Sequence, residues 1–278
     1  MILFKNRETL KKASIYFINF LLALIVIFPI LYALMVSLMP ASDIFQYPPR
    51  IIPKGLYFGN YINALRSVPI LRFIFNSFFV SAIVTIGQVI TASLAAYAFT
   101  YFEFKGRNII FILFLSTMMI PGEATIIANY LTIRSLNWLD TYQALIIPNL
   151  SSALGIFLMR QFFLTIPKYY YEAAQLDGCS KFEFLVKVLL PLSRPAIGSL
   201  IIYSFLMTWN QYLWPLLVTN TDNMRTVQIG VSMLQMSESQ SFGLIMAGVV
   251  MIIVPSLFAF IIGQKQLIEG LSAGALKG

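Results

Sequence analysis

Eleven acidic residues, a single cysteine and no histidine leave this 278-residue sequence with few groups for covalent chemistry. Without histidine there is no imidazole base and no metal site that needs one. Cys179 alone forms neither an internal disulfide nor a cysteine metal cluster. No Gly-x-x-x-x-Gly-Lys-Ser/Thr run occurs, so the usual cradle for nucleotide phosphates is missing. The groups that remain suit recognition rather than catalysis. Trp209, Asn210, Tyr212 and Trp214 fall within six residues of one another, and such aromatic and amide groups match sugar faces and hydroxyls. Core packing and anchoring at the membrane interface explain Trp and Tyr equally well. Glu123 follows an uncharged stretch, which makes it either an intramembrane acid, a functional candidate by default, or a hydrated group at the outer mouth.

Composition says what must hold these groups. Apolar residues make up 59% of the chain, charged residues 11%, and the mean hydropathy is +0.80. Soluble domains carry about a quarter charged residues. A chain with so few cannot cover a water-exposed surface, which excludes a soluble globular enzyme. It is also far too hydrophobic for intrinsic disorder. The net charge of +8 fits the orientation bias of membrane proteins better than binding to nucleic acid.

Charge-free stretches at 13–42, 73–102, 108–122, 141–159, 195–221 and 239–264 are 30, 30, 15, 19, 27 and 26 residues long. A membrane crossing takes about 20 residues, so the pattern predicts an all-α, polytopic membrane protein with six transmembrane helices. Lys5, Arg7, Lys11 and Lys12 before the first stretch imitate a secretory signal, but the apolar part is too long for one and reads as an uncleaved span. With both termini on one side, that side holds 13 of the 19 Lys and Arg residues and the other side 6. The richer side is expected to be the cytoplasm of a cell-membrane protein. The expected organisation is a cytoplasmic N-terminus (1–12), a six-helix membrane domain (13–264) and a cytoplasmic tail (265–278). Within the spans, Gly87, Thr91 and Ala95 recur every four residues, a small-residue stripe for close helix packing. Pro148 and Pro255 are expected to kink their helices.

The inner loop between the fourth and fifth stretches, 160–194, is amphipathic and dense in helix punctuation. Thr165 and Pro167 predict the start of a helix running through Glu172, Ala173, Ala174 and Leu176. Gly178 follows as the residue most easily placed at positive φ. Ser180 and Glu183 form a Ser-x-x-Glu capping box for a second helix over 181–190, which Pro191 and Pro195 are expected to close. Two short helices around a glycine corner suit a docking element, and also an amphipathic hairpin lying on lipid headgroups.

Glu172-Ala173-Ala174, Gly178, Val188 and Leu190-Pro191 together resemble the EAA loop of ABC-importer permeases. Phe75-Asn76-Ser77, the run from Trp209 to Pro215 and the tail from Glu269 are similar to the maltose-type carbohydrate branch. Trp209 to Leu216 and Met119-Ile120-Pro121-Gly122-Glu123 look closest to glycerol-3-phosphate permeases. The resemblance implies a type I importer permease fold. It implies that Glu172, Ala173, Ala174, Asp177, Gly178, Leu190 and Pro191 couple to an ATPase, and that Glu269, Gly270 and Gly274 give a C-terminal ATPase contact. The implied partners are an ABC ATPase dimer, a second homologous permease and an extracytoplasmic solute-binding protein, besides membrane lipid. The implied cargo is a sugar or glycerol-phosphate compound. ATP and Mg²⁺ would be used by the ATPases, with no cofactor bound by this chain and no catalytic residue in it. The competing readings are an ion-coupled secondary transporter, which needs buried ionisable groups and repeats, and an intramembrane enzyme, which needs acid–base pairs.

Overall fold

The computed structural model describes residues 2–48, 50–237 and 242–273; among these it contains helices and no strand. Three helices are long and apolar enough to cross a bilayer unbroken, Lys12–Ser37, Ile70–Tyr101 and Phe242–Gln266. Three more are bent pairs: Arg107–Met119 with Gly122–Ser135, Tyr142–Asn149 with Ala153–Phe163, and Lys181–Leu192 with Arg194–Trp209. Counting each pair once gives up to six crossings among the described residues, with the Lys181–Leu192 arm of the last pair belonging to the 160–194 loop rather than to the span. The last expected stretch, 239–264, opens on residues outside those described.

The bends sit where backbone chemistry breaks a helix. At the 98° bend, the residue before Pro121 is forced out of the α region, and Ile120 is indeed extended (φ −88°, ψ 115°). The straight span expected over 108–122 is therefore a short helix, Arg107–Ser116, a 3₁₀ turn, Thr117–Met119, and then a new helix, Gly122–Ser135, in another direction. The 195–221 stretch is likewise not one helix. It runs as Arg194–Trp209, pauses at 210–212, and resumes as Leu213–Val218.

The chain divides into two compact units. One takes the residues up to Val68 together with Val231–Ile253. In it, Asn60 Nδ2 donates to the carbonyls of Ser37 (2.9 Å) and Met39 (2.8 Å), satisfying acceptors where the first helix ends. The segment after that helix forms two short helices, Ala41–Ile44 and Gly59–Ser67.

The other unit takes Pro69–Gly230 and the stretch from Val254 on. Its inner core gathers Tyr97, Phe99, Phe111, Met159, Phe163, Phe184 and Leu189 around small Ala92, Ala96 and Ala196. Arg160 closes one edge, with its guanidinium 4.1 Å from the Phe111 ring centre and Nε donating to Phe99 O. Its second core holds Val80, Val84, Ile133, Leu145, Trp214 and Val218.

Candidate functional site

The inner loop is built by local rules. Its first helix, Tyr169–Leu176, starts later than expected. Thr165 does not cap it: the hydroxyl turns back to Phe162 O at 2.7 Å, and Lys168 stands at the N-cap with no side-chain cap bond. The helix ends in a Schellman motif. Cys179 N donates to Ala174 O (2.9 Å) and Gly178 N to Gln175 O (3.1 Å), with Gly178 at φ 75°. Both partners of the motif's apolar contact, Ala174 and Cys179, pack on the inner core.

The second helix opens on the expected capping box. Ser180 N donates to Glu183 Oε2 (3.0 Å), and Glu183 N donates to Ser180 Oγ. Lys187 Nζ adds a bond to Glu183 Oε1 at 2.8 Å. The Lys187 ammonium, then the Ser180 amide and hydroxyl, hold the Glu183 carboxyl down at a pKa of about 2. The helix does not stop at Pro191. After Lys181–Glu183 it winds as a π-helix over Phe184–Leu189 and continues as Leu190–Leu192. A proline ring inside an α-helix collides with the carbonyl four residues back, and the wider π turn relieves that collision. Ser193, fully buried, ends the element by donating its hydroxyl to Leu189 O.

This corner is fastened to the C-terminal end of the Ile70–Tyr101 helix. Tyr97 OH donates to Lys181 O at 2.9 Å. The Tyr101, Tyr171 and Phe184 rings lie 4.9–5.3 Å apart. The outward side is left open: Glu172, Ala173, Asp177 and Gly178 are exposed, and Leu176 is 90% exposed. Leu190 is half-buried and Pro191 exposed. Beside the helix root, a cavity of about 280 Å³ is lined in part by Glu103, Arg107, Lys168 and Glu172. Glu269 and Gly270 lie on the Phe242–Ala273 helix, and Gly274 lies outside the described residues.

A second cavity, of about 360 Å³, opens where the 98° bend, the 40° bend and the pause at 210–212 meet. Glu123, Asn129, Asn149, Gln211, Tyr212 and Trp214 are among its lining residues. Of the recognition residues anticipated from sequence, it thus brings together Glu123, Tyr212 and Trp214. Glu123 is exposed, in the first turn of the Gly122–Ser135 helix, where the partial positive charge of a helix N-terminus favours a carboxylate. Trp209 is not on this wall; it is 1% exposed and stacked on Phe205 with ring centres 5.7 Å apart. Asn210 does not line it either, its amide being bonded to Leu206 O and Gln228.

The cavity wall at 147–152 interrupts the α-helix with a 3₁₀ turn, Ile147–Asn149, and side chains serve carbonyls in it and just before it. Pro148 has no N–H for Ala144 O, which instead accepts from Trp214 Nε1 at 2.9 Å. Leu145 O accepts from Asn149 Nδ2, Asn149 O from Gln88 Nε2 and Leu150 O from Thr91 Oγ1, all at 2.8–2.9 Å. The Gly87 stripe permits this approach, since a Cβ there would overlap the Leu150 side chain. Gln88 escaped the sequence reading; the signal for it was an amide within an otherwise apolar span, where a polar group needs a partner. Asp140 was missed too. At φ 59°, its carboxylate accepts from Asn220 N, Thr221 N and Thr221 Oγ1. Nearby, Asn76 donates to Asn223 O and Arg225 O and accepts from Tyr142 OH.

The family model described as "Binding-protein-dependent transport system inner membrane component" matches residues 87–266, and the chain belongs to that family. It is therefore a multi-pass membrane protein. It is 36% identical over 257 residues to the sn-glycerol-3-phosphate transport system permease protein UgpE of Agrobacterium fabrum strain C58, covering 89% of this chain and 91% of that one. It is 33% identical over 261 residues to the arabinooligosaccharides transport system permease protein AraQ of Bacillus subtilis strain 168, covering 93% of each. Among solved structures, a chain of a bacterial ABC transporter involved in the import of the acidic polysaccharide alginate superposes with a TM-score of 0.81. That match covers 91% of this chain and 95% of the other at 22% identity, a likeness of fold.

Proposed function

We propose that this chain is one of two permease subunits of an ATP-driven importer and forms half of the path for a sugar or glycerol-phosphate compound. In this reading separate ATPases engage the inner corner, a solute-binding protein delivers cargo from outside, and both termini face the cytoplasm. The chain itself performs no covalent step. Support comes from one observation above the rest: a corner held by a Schellman motif, a capping box and an aromatic cluster leaves Glu172, Ala173, Asp177 and Leu176 exposed. Apolar Leu176 in that position suits a protein cleft. Ala173, with its small side chain, allows close approach, and Glu172 suits a basic partner residue. The Glu269–Gly274 segment is assigned a further contact with the ATPases, and the outer cavity is assigned to cargo through Glu123, Tyr212 and Trp214.

The test is crosslinking from Cys179, half-buried beside the corner, in membranes holding the complete transporter. A crosslink to an ATP-hydrolysing subunit that changes with nucleotide is expected. Uptake by the purified chain alone, without ATP, would sink the proposal.

A further inference from the structure

We infer that Gln88 is a positioning residue through which movement of the Arg194–Trp209 helix reaches the cavity wall. The inference rests on the reading of the chain as an ATPase-driven permease. Asn149 O can only accept, so Gln88 Nε2 must face it (2.8 Å), and Gln88 Oε1 is then left to accept from Ser204 Oγ (2.7 Å). One amide thus joins three elements: the Ile70–Tyr101 helix, the 3₁₀ turn at Ile147–Asn149 and the Arg194–Trp209 helix.

Each end of this link is set where movement matters. Ser204 is 1% exposed, on a helix that begins immediately after the inner corner's last residue, the buried Ser193. Asn149, with Pro148, lines the outer cavity. The wall has a single 3₁₀ turn of its own, closed by Leu150 N on Ile147 O (3.3 Å), and the Ala144, Leu145, Asn149 and Leu150 carbonyls around it take bonds from Trp214, Asn149, Gln88 and Thr91. A turn of the Arg194–Trp209 helix must therefore break the Ser204–Gln88 bond or carry Asn149 with it. In apolar surroundings a broken bond finds no water to replace it, so carrying is favoured.

The test uses the complete transporter in right-side-out vesicles, with Asn129→Cys as a reporter in the cavity and an impermeant maleimide outside. Loading ATP and vanadate inside is expected to change the Asn129→Cys labelling rate about fivefold or more, the lower end of ordinary coupling between sites. Gln88→Leu and Ser204→Ala should each abolish that change while the nucleotide-dependent crosslink from Cys179 persists. Ser204→Thr, which keeps the hydroxyl, should restore it. A merely structural role would instead lower complex yield and leave the response of the surviving complexes intact. Retention of the labelling change in both Gln88→Leu and Ser204→Ala overturns the inference. A Cys179 crosslink that ignores nucleotide in the unmodified transporter overturns the permease reading itself, and this inference with it.

Discussion

Trp214 gives its indole N–H to the carbonyl of Ala144 at 2.9 Å, the one backbone acceptor that Pro148, four residues on, cannot serve. A tryptophan in the cavity wall therefore does two things. It helps to line the cavity while packed in the second core, and its indole N–H repairs a proline break.

The repair predicts a coupled pair. Trp214→Phe removes the donor and should destabilise the purified transporter by about 1 kcal/mol, in the range of hydrogen bonds between membrane helices. In a Pro148→Ala background the backbone supplies its own donor, and the same change should cost much less. A double-mutant cycle on thermal unfolding in detergent measures the difference, and strict additivity would show that the two residues are independent.

At Gly178 the demand is conformational. A Cβ would meet nothing within 4 Å, but φ is +75°. Gly178→Asn, which tolerates this region, should keep most ATP-dependent uptake, whereas Gly178→Val should lose most of it, a β-branched residue there costing at least about 1–2 kcal/mol. Membrane insertion, followed by protease protection, should be unchanged in both. Equal activity of the two variants would remove the corner geometry from the mechanism.

Glu183 supplies a pH dependence. Its pKa is about 2 in the fold against 4.5 ordinarily, so the folded state holds the charged form more tightly. Its contribution is present in full above pH 4.5 and is lost as pH falls through 2. Hydrogen exchange at the 180–187 amides should therefore stay flat from neutral pH to about 4.5, after correction for intrinsic rates, and rise below it. Glu183→Gln should show the faster exchange already at neutral pH.

Asp140 makes a separate latch on the other core. Burial pushes its pKa up, but the Thr221 and Asn220 amides, the Thr221 hydroxyl and the Arg225 charge outweigh that and leave it below the usual value. Its contribution is accordingly present at neutral pH and lost on acidification. Asp140→Ala should cost about 1–2 kcal/mol after allowance for solvent screening. Asp140→Asn, which accepts positive φ, should cost less, and protease nicking near residue 221 would report the loosening.

Legibility in the sequence followed distance along the chain. The Ser180–Glu183 box and the Gly178 corner were readable because their partners stand three to five residues apart. Six spans were readable from charge and the break after Pro148 from its proline, but not the 98° bend before Pro121 or the 80° bend before Arg194. The Thr165 cap was misread because a hydroxyl can equally bond backward, which it does. The Gln88 link was invisible because Asn149 lies 61 and Ser204 116 residues away. The cavity wall depends on a turn held by long-range partners, so Asn129, Asn149 and Gln211 could not be grouped beforehand.

The π turn at Phe184–Leu189 amounts to one residue more than an α-helix of that length needs. Deleting a single residue there would close the wide turn into an ordinary α turn and leave the segments on either side nearly in phase, but it would return a carbonyl to the path of the Pro191 ring. The surplus residue thus makes room for a proline inside an otherwise continuous helical element.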